Sequence, residues 1–217
     1  MIRTLLPLGM LVAAAVIARA DLFSELSTAD QKKVKSGGQV MTTEVLDGYP
    51  WPRVRVYQKI EATPREVIAV FTDYNNACHF VPNCLKSEIS KKINPLATEV
   101  DYVVDVPMLA DEAYTVRDTL SAAPGGALMV KWKMLKATSI EESEGNLFAE
   151  PFGDNASIIR YTNLVKPSSV AAPLLKGVAM GQMKDTVQAI VDQVGRVKGN
   201  PAGLKPHLDR IDAALAK

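Results

Sequence analysis

The feature that most constrains this chain is a run of about 80 residues with strand periodicity, Leu85 to Lys166, followed by one long helical segment, Val170 to Val197. The run divides into Leu85–Ile93, Thr98–Val106, Glu112–Ala122, Leu128–Ala137, Asn146–Phe152 and Ala156–Lys166. Asn94-Pro95, Pro124-Gly125-Gly126 and Gly153-Asp154-Asn155 supply turn signals between them. Connections this short join antiparallel neighbours, so the run reads as a meander.

The strands sort into faces. Val100, Tyr102, Val104 and Val106 share a side, as do Tyr114, Val116 and Leu120, and then Leu128, Val130, Trp132 and Met134. The alternate positions carry Asp101, Asp105, Arg117, Lys131 and Lys133, so one face is wet and the other must be covered. The long helical segment is the candidate cover. On a wheel of about 100° per residue its apolar residues fall into two groups, Ala171, Leu174, Leu175 and Val178 against Met183, Val187, Ile190, Val191 and Val194. The change falls between Gly177 and Gly181, where a break or kink is expected.

Upstream, Arg53 to Ala62 alternates as a strand. Thr63-Pro64-Arg65-Glu66 is a capping box with Pro at the first helical position, and Val67, Val70, Phe71 and Tyr74 mark the face of the helix it starts. A second short helix is expected from Asn75-Asn76 to Val81, before Pro82. Earlier still, Ser27-Thr28-Ala29-Asp30 starts a short helix that Gly37-Gly38 stops, and Gln39 to Val45 has the character of a short strand.

The first twenty residues stand apart. A basic start, Met1-Ile2-Arg3, precedes an apolar stretch from Leu5 to Ala18, and Ala18-Arg19-Ala20 has the small-x-small form of a signal-peptidase site. The segment reads as a secretory signal peptide cleaved before Asp21; a spanning helix needs about 20 apolar residues without interruption. The expected location is periplasmic or secreted. Loss of Arg3 and Arg19 from 25 Lys+Arg leaves 23 against 24 Asp+Glu, a net charge of −1. That balance carries no basic stripe for nucleic acid. Cys78 and Cys84 are the only cysteines. An oxidising compartment permits a disulfide between them, and two buried free thiols satisfy the sequence equally. No metal site is expected, since His79 is the only histidine nearby and no second Cys pair exists.

The order strand, two helices, six strands, long helix is the helix-grip plan. Phe71-Thr72-Asp73-Tyr74 with Phe80-Val81-Pro82-Asn83 resembles a segment of polyketide cyclase-like and coenzyme Q-binding START-like proteins. Pro107, Leu109, Asp111, Tyr114, Arg117 and Asp118 are spaced in a way similar to the central signature of StAR-related lipid-transfer (START) domains. Glu150-Pro151, Gly153-Asp154, Arg160-Tyr161 and Val165-Lys166-Pro167 resemble the strand pair that leads into the closing helix. Together these cover about residues 40 to 197. The resemblance implies an α+β helix-grip fold: a curved antiparallel seven-stranded sheet wrapped around a long C-terminal helix, with two short helices after the first strand. It divides the chain into residues 1–20 (signal peptide), 21–50 (extension), 51–197 (START-like domain) and 198–217 (tail).

The resemblance further implies a lipid or other apolar small molecule (a sterol, phospholipid, quinone or similar) held between sheet and helix, without a cofactor, by a monomer that touches a membrane transiently. Tyr102, Val104, Tyr114, Val116, Trp132 and Met134 are the candidate wall from the sheet, and Met180, Met183 and Val187 the wall from the helix. Asp118 falls on the apolar face, where a carboxylate is costly unless paired; Arg160 is its candidate partner, and a bulge that turns Asp118 outward is the alternative. Gly177 and Gly181, with the Pro107–Asp111 loop, are the candidate hinge for a lid. Two other functions stand beside carriage. One is a cyclase- or hydrolase-like enzyme, for which the sequence offers only His79 and His207 and no nucleophile–base arrangement. The other is an interaction module with a filled core.

Overall fold

The computed structural model describes residues 21–107, 110–168 and 172–216, the side chains of 172–174 excepted. The expected signal peptide and its cleavage site therefore lie outside the described residues, apart from Asp21.

The elements run α1 (Thr28–Lys35), β1 (Val40–Glu44), β2 (Arg53–Ile60), α2 (Pro64–Phe71), a 3₁₀ turn (Tyr74–His79), β3 (Cys84–Asn94), β4 (Ala97–Val104), β5 (Glu112–Ala123), β6 (Ala127–Ala137), β7 (Ile140–Pro151), β8 (Ser157–Pro167), α3 (Ala172–Lys198) and α4 (Pro201–Leu215). The strands form one eight-stranded antiparallel sheet in the order β1-β2-β8-β7-β6-β5-β4-β3. This is the helix-grip plan with one strand more than expected, because Val40–Glu44 joins the edge of the sheet beside β2.

Local chemistry sets the starts of the helices. Ser27 caps α1 by accepting from the Asp30 N–H. At α2 the Thr63 hydroxyl accepts from the Glu66 N–H at 3.3 Å while the Glu66 carboxylate takes the Thr63 N–H at 2.7 Å, the reciprocal capping box read from the sequence. The expected second helix is a 3₁₀ turn that ends at His79. The Ser87 hydroxyl, donating to the Tyr74 carbonyl at 2.5 Å, ties it to β3.

The main core lies between the concave face of the sheet and α2, α3 and α4. Val54, Val100, Val116, Val130, Leu147 and Ile159 come from the sheet, and Val67, Val187, Ile190, Val194 and Ile211 from the helices. A second cluster covers the convex face at one edge: Leu22, Leu26 and Val34 pack on Val40, Tyr57 and Ile158. The stretch read as an extension is thus built into the sheet. The tail is likewise part of the fold. In α4, Leu204, Ile211 and Ala214 are buried, and Arg210 donates to the Ala69 carbonyl at 2.7 Å and the Thr72 carbonyl at 2.8 Å. These carbonyls end α2, where the helix dipole favours a cation.

The break expected at Gly177 and Gly181 is absent, and α3 runs unbroken from Ala172 to Lys198. Both glycines are exposed, and nothing lies within 4 Å of where a Cβ would stand. The reason is visible on the inner side of α3. Leu175, Ala179, Gln182, Thr186 and Ile190 form one continuous stripe at helical spacing, all facing the same cavity. Gln182 and Thr186 are polar, so the apolar residues alone look like two faces.

Candidate functional site

A cavity of about 330 Å³ lies between α3 and the concave side of β4 to β8. Its size falls within the roughly 300–1,000 Å³ of ordinary small-molecule sites. Exposed Asp105 and Val178 mark its mouth, at the end of the sheet where β4 meets β5 and β8 leads to α3. Trp132, Tyr161 and Ile190 lie farther in.

Of the sequence candidates, Tyr102, Val104, Tyr114, Val116, Asp118, Trp132 and Met183 line this cavity. Met134 and Val187 pack in the core beside it. Met180 instead lines a small separate crevice with Trp51, Pro52 and Val54. Of the loop Pro107–Asp111, Pro107 lines the mouth, while Met108 and Leu109 lie outside the described residues.

Arg160 is not at the site. It points to the convex face, where its Nη1 donates to both carboxylate oxygens of Glu25 at 2.6 and 2.8 Å, beside the Tyr57 hydroxyl, which donates to Glu25 at 2.8 Å. Period-two alternation explains this, since Tyr161 is the inward residue and Arg160 must then face out. The Arg160–Asp118 pair is therefore not formed.

Asp118 stays on the inner face. Its neighbours across the sheet are Thr98 and Trp132. A register shift does occur nearby, between Thr115 and Val116, but the extra residue is Leu135 on β6, which turns outward and is 46% exposed. Asp118 is only 4% exposed, and its Oδ2 has no hydrogen-bond partner among the described residues. Burial pushes its carboxyl up to about 7. Four tyrosines surround it. Tyr74, Tyr102, Tyr114 and Tyr161 all have their hydroxyls pushed above the usual phenol range, first by burial, with the charge of Asp118 adding to it.

The aromatic wall is ordered by packing. Trp132 lies 5.1 Å from Tyr161 and 6.3 Å from Phe71, and Tyr102 stacks on Tyr114 at 5.3 Å. Gly145 makes room for the indole: a Cβ there would stand 2.2 Å from Trp132 Cζ2 and 2.2 Å from the Thr162 carbonyl oxygen. Glu112, also buried, accepts from the Thr138 N–H at 2.8 Å, the Ser139 N–H at 3.0 Å and the Ser139 hydroxyl, and so pins the β6–β7 turn at the cavity's rim.

Cys78 and Cys84 form a disulfide, with Cα atoms 4.7 Å apart. It closes a short ring whose residues Phe80 to Cys84 line the mouth. Sequence reading left these residues, with Tyr161 and Asn163, out of the site. Tyr161 and Asn163 carried a signal in strand alternation, while Phe80 to Asn83 stood out only as a motif, with nothing in its periodicity to aim it at the cavity, because the direction of the loop depends on the 3₁₀ turn and the disulfide. Neither histidine lines the cavity, and among the described residues no group of His, Cys, Asp and Glu is placed to hold a metal.

Neither a protein-family model nor a curated protein matches the sequence. Solved structures do. The STAR-related lipid transfer protein from Xanthomonas axonopodis superposes with a TM-score of 0.66 at 17% identity, over 72% of this chain and 93% of that one. The chain has the START-like helix-grip fold. Human StAR-related lipid transfer protein 5 shares it, at a TM-score of 0.65 and 10% identity over 75% and 84% of the two chains. So does the Zhui aromatase/cyclase from Streptomyces sp. R1128, at 0.59 and 17% over 70% and 97%. At these identities the START-like likeness is one of architecture, shared by carriers and cyclases alike.

Proposed function

We propose that this protein is an exported lipid-binding protein that holds an apolar molecule, such as a sterol, quinone or other lipid, in the cavity between sheet and α3 and passes it on unchanged. The observation that carries the reading is the cavity itself, walled by Phe71, Phe80, Tyr102, Tyr114, Trp132 and Tyr161 within a START-like fold. Removing apolar surface from water at about 25 cal/mol per Å² holds a lipid-sized molecule without covalent chemistry. The signal-like residues 1–20 and the disulfide support export, and the exposed Val178 at the mouth supports transient membrane contact by a monomer. Native mass spectrometry and organic extraction of the purified protein test it. A stoichiometric co-purified lipid is the expected result; failure to take up any apolar ligand on incubation with lipid vesicles would sink it.

One observation favours the catalytic alternative. A buried carboxyl with a pKa of about 7, such as Asp118, suits general acid–base work. It stands without an adjacent nucleophile or base partner among the described residues, so carriage is the stronger reading. Recovery of a chemically altered ligand after incubation would reverse that order.

A further inference from the structure

The cavity has a one-sided charge. The ionisable acids and bases that line it are Asp105, Glu112 and Asp118; no lysine, arginine or histidine does so among the described residues. Nor do the stretches 108–109 and 169–174 contain a basic residue in the sequence. The bases on the neighbouring strands lie elsewhere: Arg117, Lys131 and Lys133 are exposed on the alternate face, and Arg160 is held by Glu25.

The three acids differ in what they can offer. Glu112 is occupied by three donors from Thr138 and Ser139. Asp105 is exposed at the mouth. Asp118 alone is buried, faces the interior and keeps an oxygen without a donor. A carboxylate buried on the cavity's wall has lost its hydrogen bonds to water, and an arriving donor restores one of them. A buried anion placed opposite it would meet a like charge and no counter-charge among the described lining residues, an arrangement that disfavours binding.

We propose that the cavity takes an apolar molecule whose polar end is a hydrogen-bond donor, a hydroxyl or an ammonium, held by Asp118, and that it rejects apolar molecules ending in an anion. This rests on the ligand-holding reading above and adds selectivity to it. The donor meets the Asp118 carboxylate at the inner end, while the chain lies along the aromatic wall toward the mouth. Fatty-acid carboxylates and lipids that must bury a phosphate are excluded by the same field.

Displacement of a bound apolar dye by dodecanol, dodecylamine and dodecanoate tests the proposal, because the three share one chain and differ in the head. At about pH 8, above the ordinary carboxylate range, dodecanoate is expected to bind at least about tenfold more weakly than dodecanol, and dodecylamine at least as tightly. Asp118→Asn is expected to weaken dodecylamine about tenfold relative to dodecanol and to narrow the gap between dodecanoate and dodecanol. Equal binding of all three by the unaltered protein overturns the selectivity and leaves carriage standing. An unchanged ranking in the variant, with its fold confirmed by circular dichroism, also overturns it. Binding of none of the three removes carriage and the selectivity together.

Discussion

At the scale of single residues, Asp118 shapes the stability of the protein as well as its cavity. Its carboxyl titrates at about 7 in the fold, against about 3.9 for an unperturbed aspartate in the unfolded chain. Between those values the folded protein holds a proton that the unfolded chain has released. Stability from this group is therefore greatest below about pH 4, falls as pH rises toward 7, and stays low above it. The cost at alkaline pH is roughly 4 kcal/mol at 1.36 kcal/mol per unit. Asp118→Asn should flatten the decline between about pH 4 and 7 and raise Tm at about pH 8. Thermal melts of both proteins across that range check this, and parallel curves would refute it.

At the scale of elements, Arg210 is a polar anchor of α4 on α2, beside the Arg65–Asp212 ion pair and the buried Leu204, Ile211 and Ala214. Arg210 donates to two α2 carbonyls and to the Thr72 hydroxyl at 3.0 Å. Hydrogen bonds that involve a charged group contribute about 1.5–3 kcal/mol each, and part of that is recovered by water when the partner is truncated. Arg210→Ala should lower unfolding free energy by about 2 kcal/mol in urea titrations, and Arg210→Lys should recover only part, since an ammonium cannot reproduce the planar fork. The alternative, that α4 is held by Leu204 and Ile211 alone, predicts no loss beyond a few tenths. The same scale explains why α3 is unbroken. Its inner stripe is continuous in space but mixed in polarity, because Gln182 and Thr186 face the cavity.

At the scale of the molecule, the ends of the chain complete the fold on both sides of the sheet. Leu22, Leu26 and Val34 cover the convex edge, and α4 closes the core behind α2. Removal of residues 200–217 exposes the pocket that Leu204, Ile211 and Ala214 fill. Burial of a large aliphatic side chain contributes about 1.5–3 kcal/mol, so the shortened chain should lose at least about 3 kcal/mol and unfold at markedly lower denaturant. A truncated protein with an unchanged urea midpoint would show that α4 is dispensable.

The sequence by itself determined the order of elements, the capping box at Thr63 and Glu66, the meander, and which faces of β4, β5 and β6 turn inward. These are local matters of periodicity and turn chemistry, legible within a few residues. It left the state of Cys78 and Cys84 open, offered Asp118 either Arg160 as a partner or an outward bulge, expected a break or kink in α3 at two glycines and treated both ends of the chain as appendages. Tertiary structure decided each of these. The register of β8 sends Tyr161 inward and Arg160 to Glu25. The open cavity beside α3 lets Gln182 and Thr186 sit on an inner helix face. The 3₁₀ turn brings the two cysteines within bonding distance. Long-range packing fixes what a side chain meets, and it leaves Asp118 buried on the inner face with an oxygen that has no partner among the described residues.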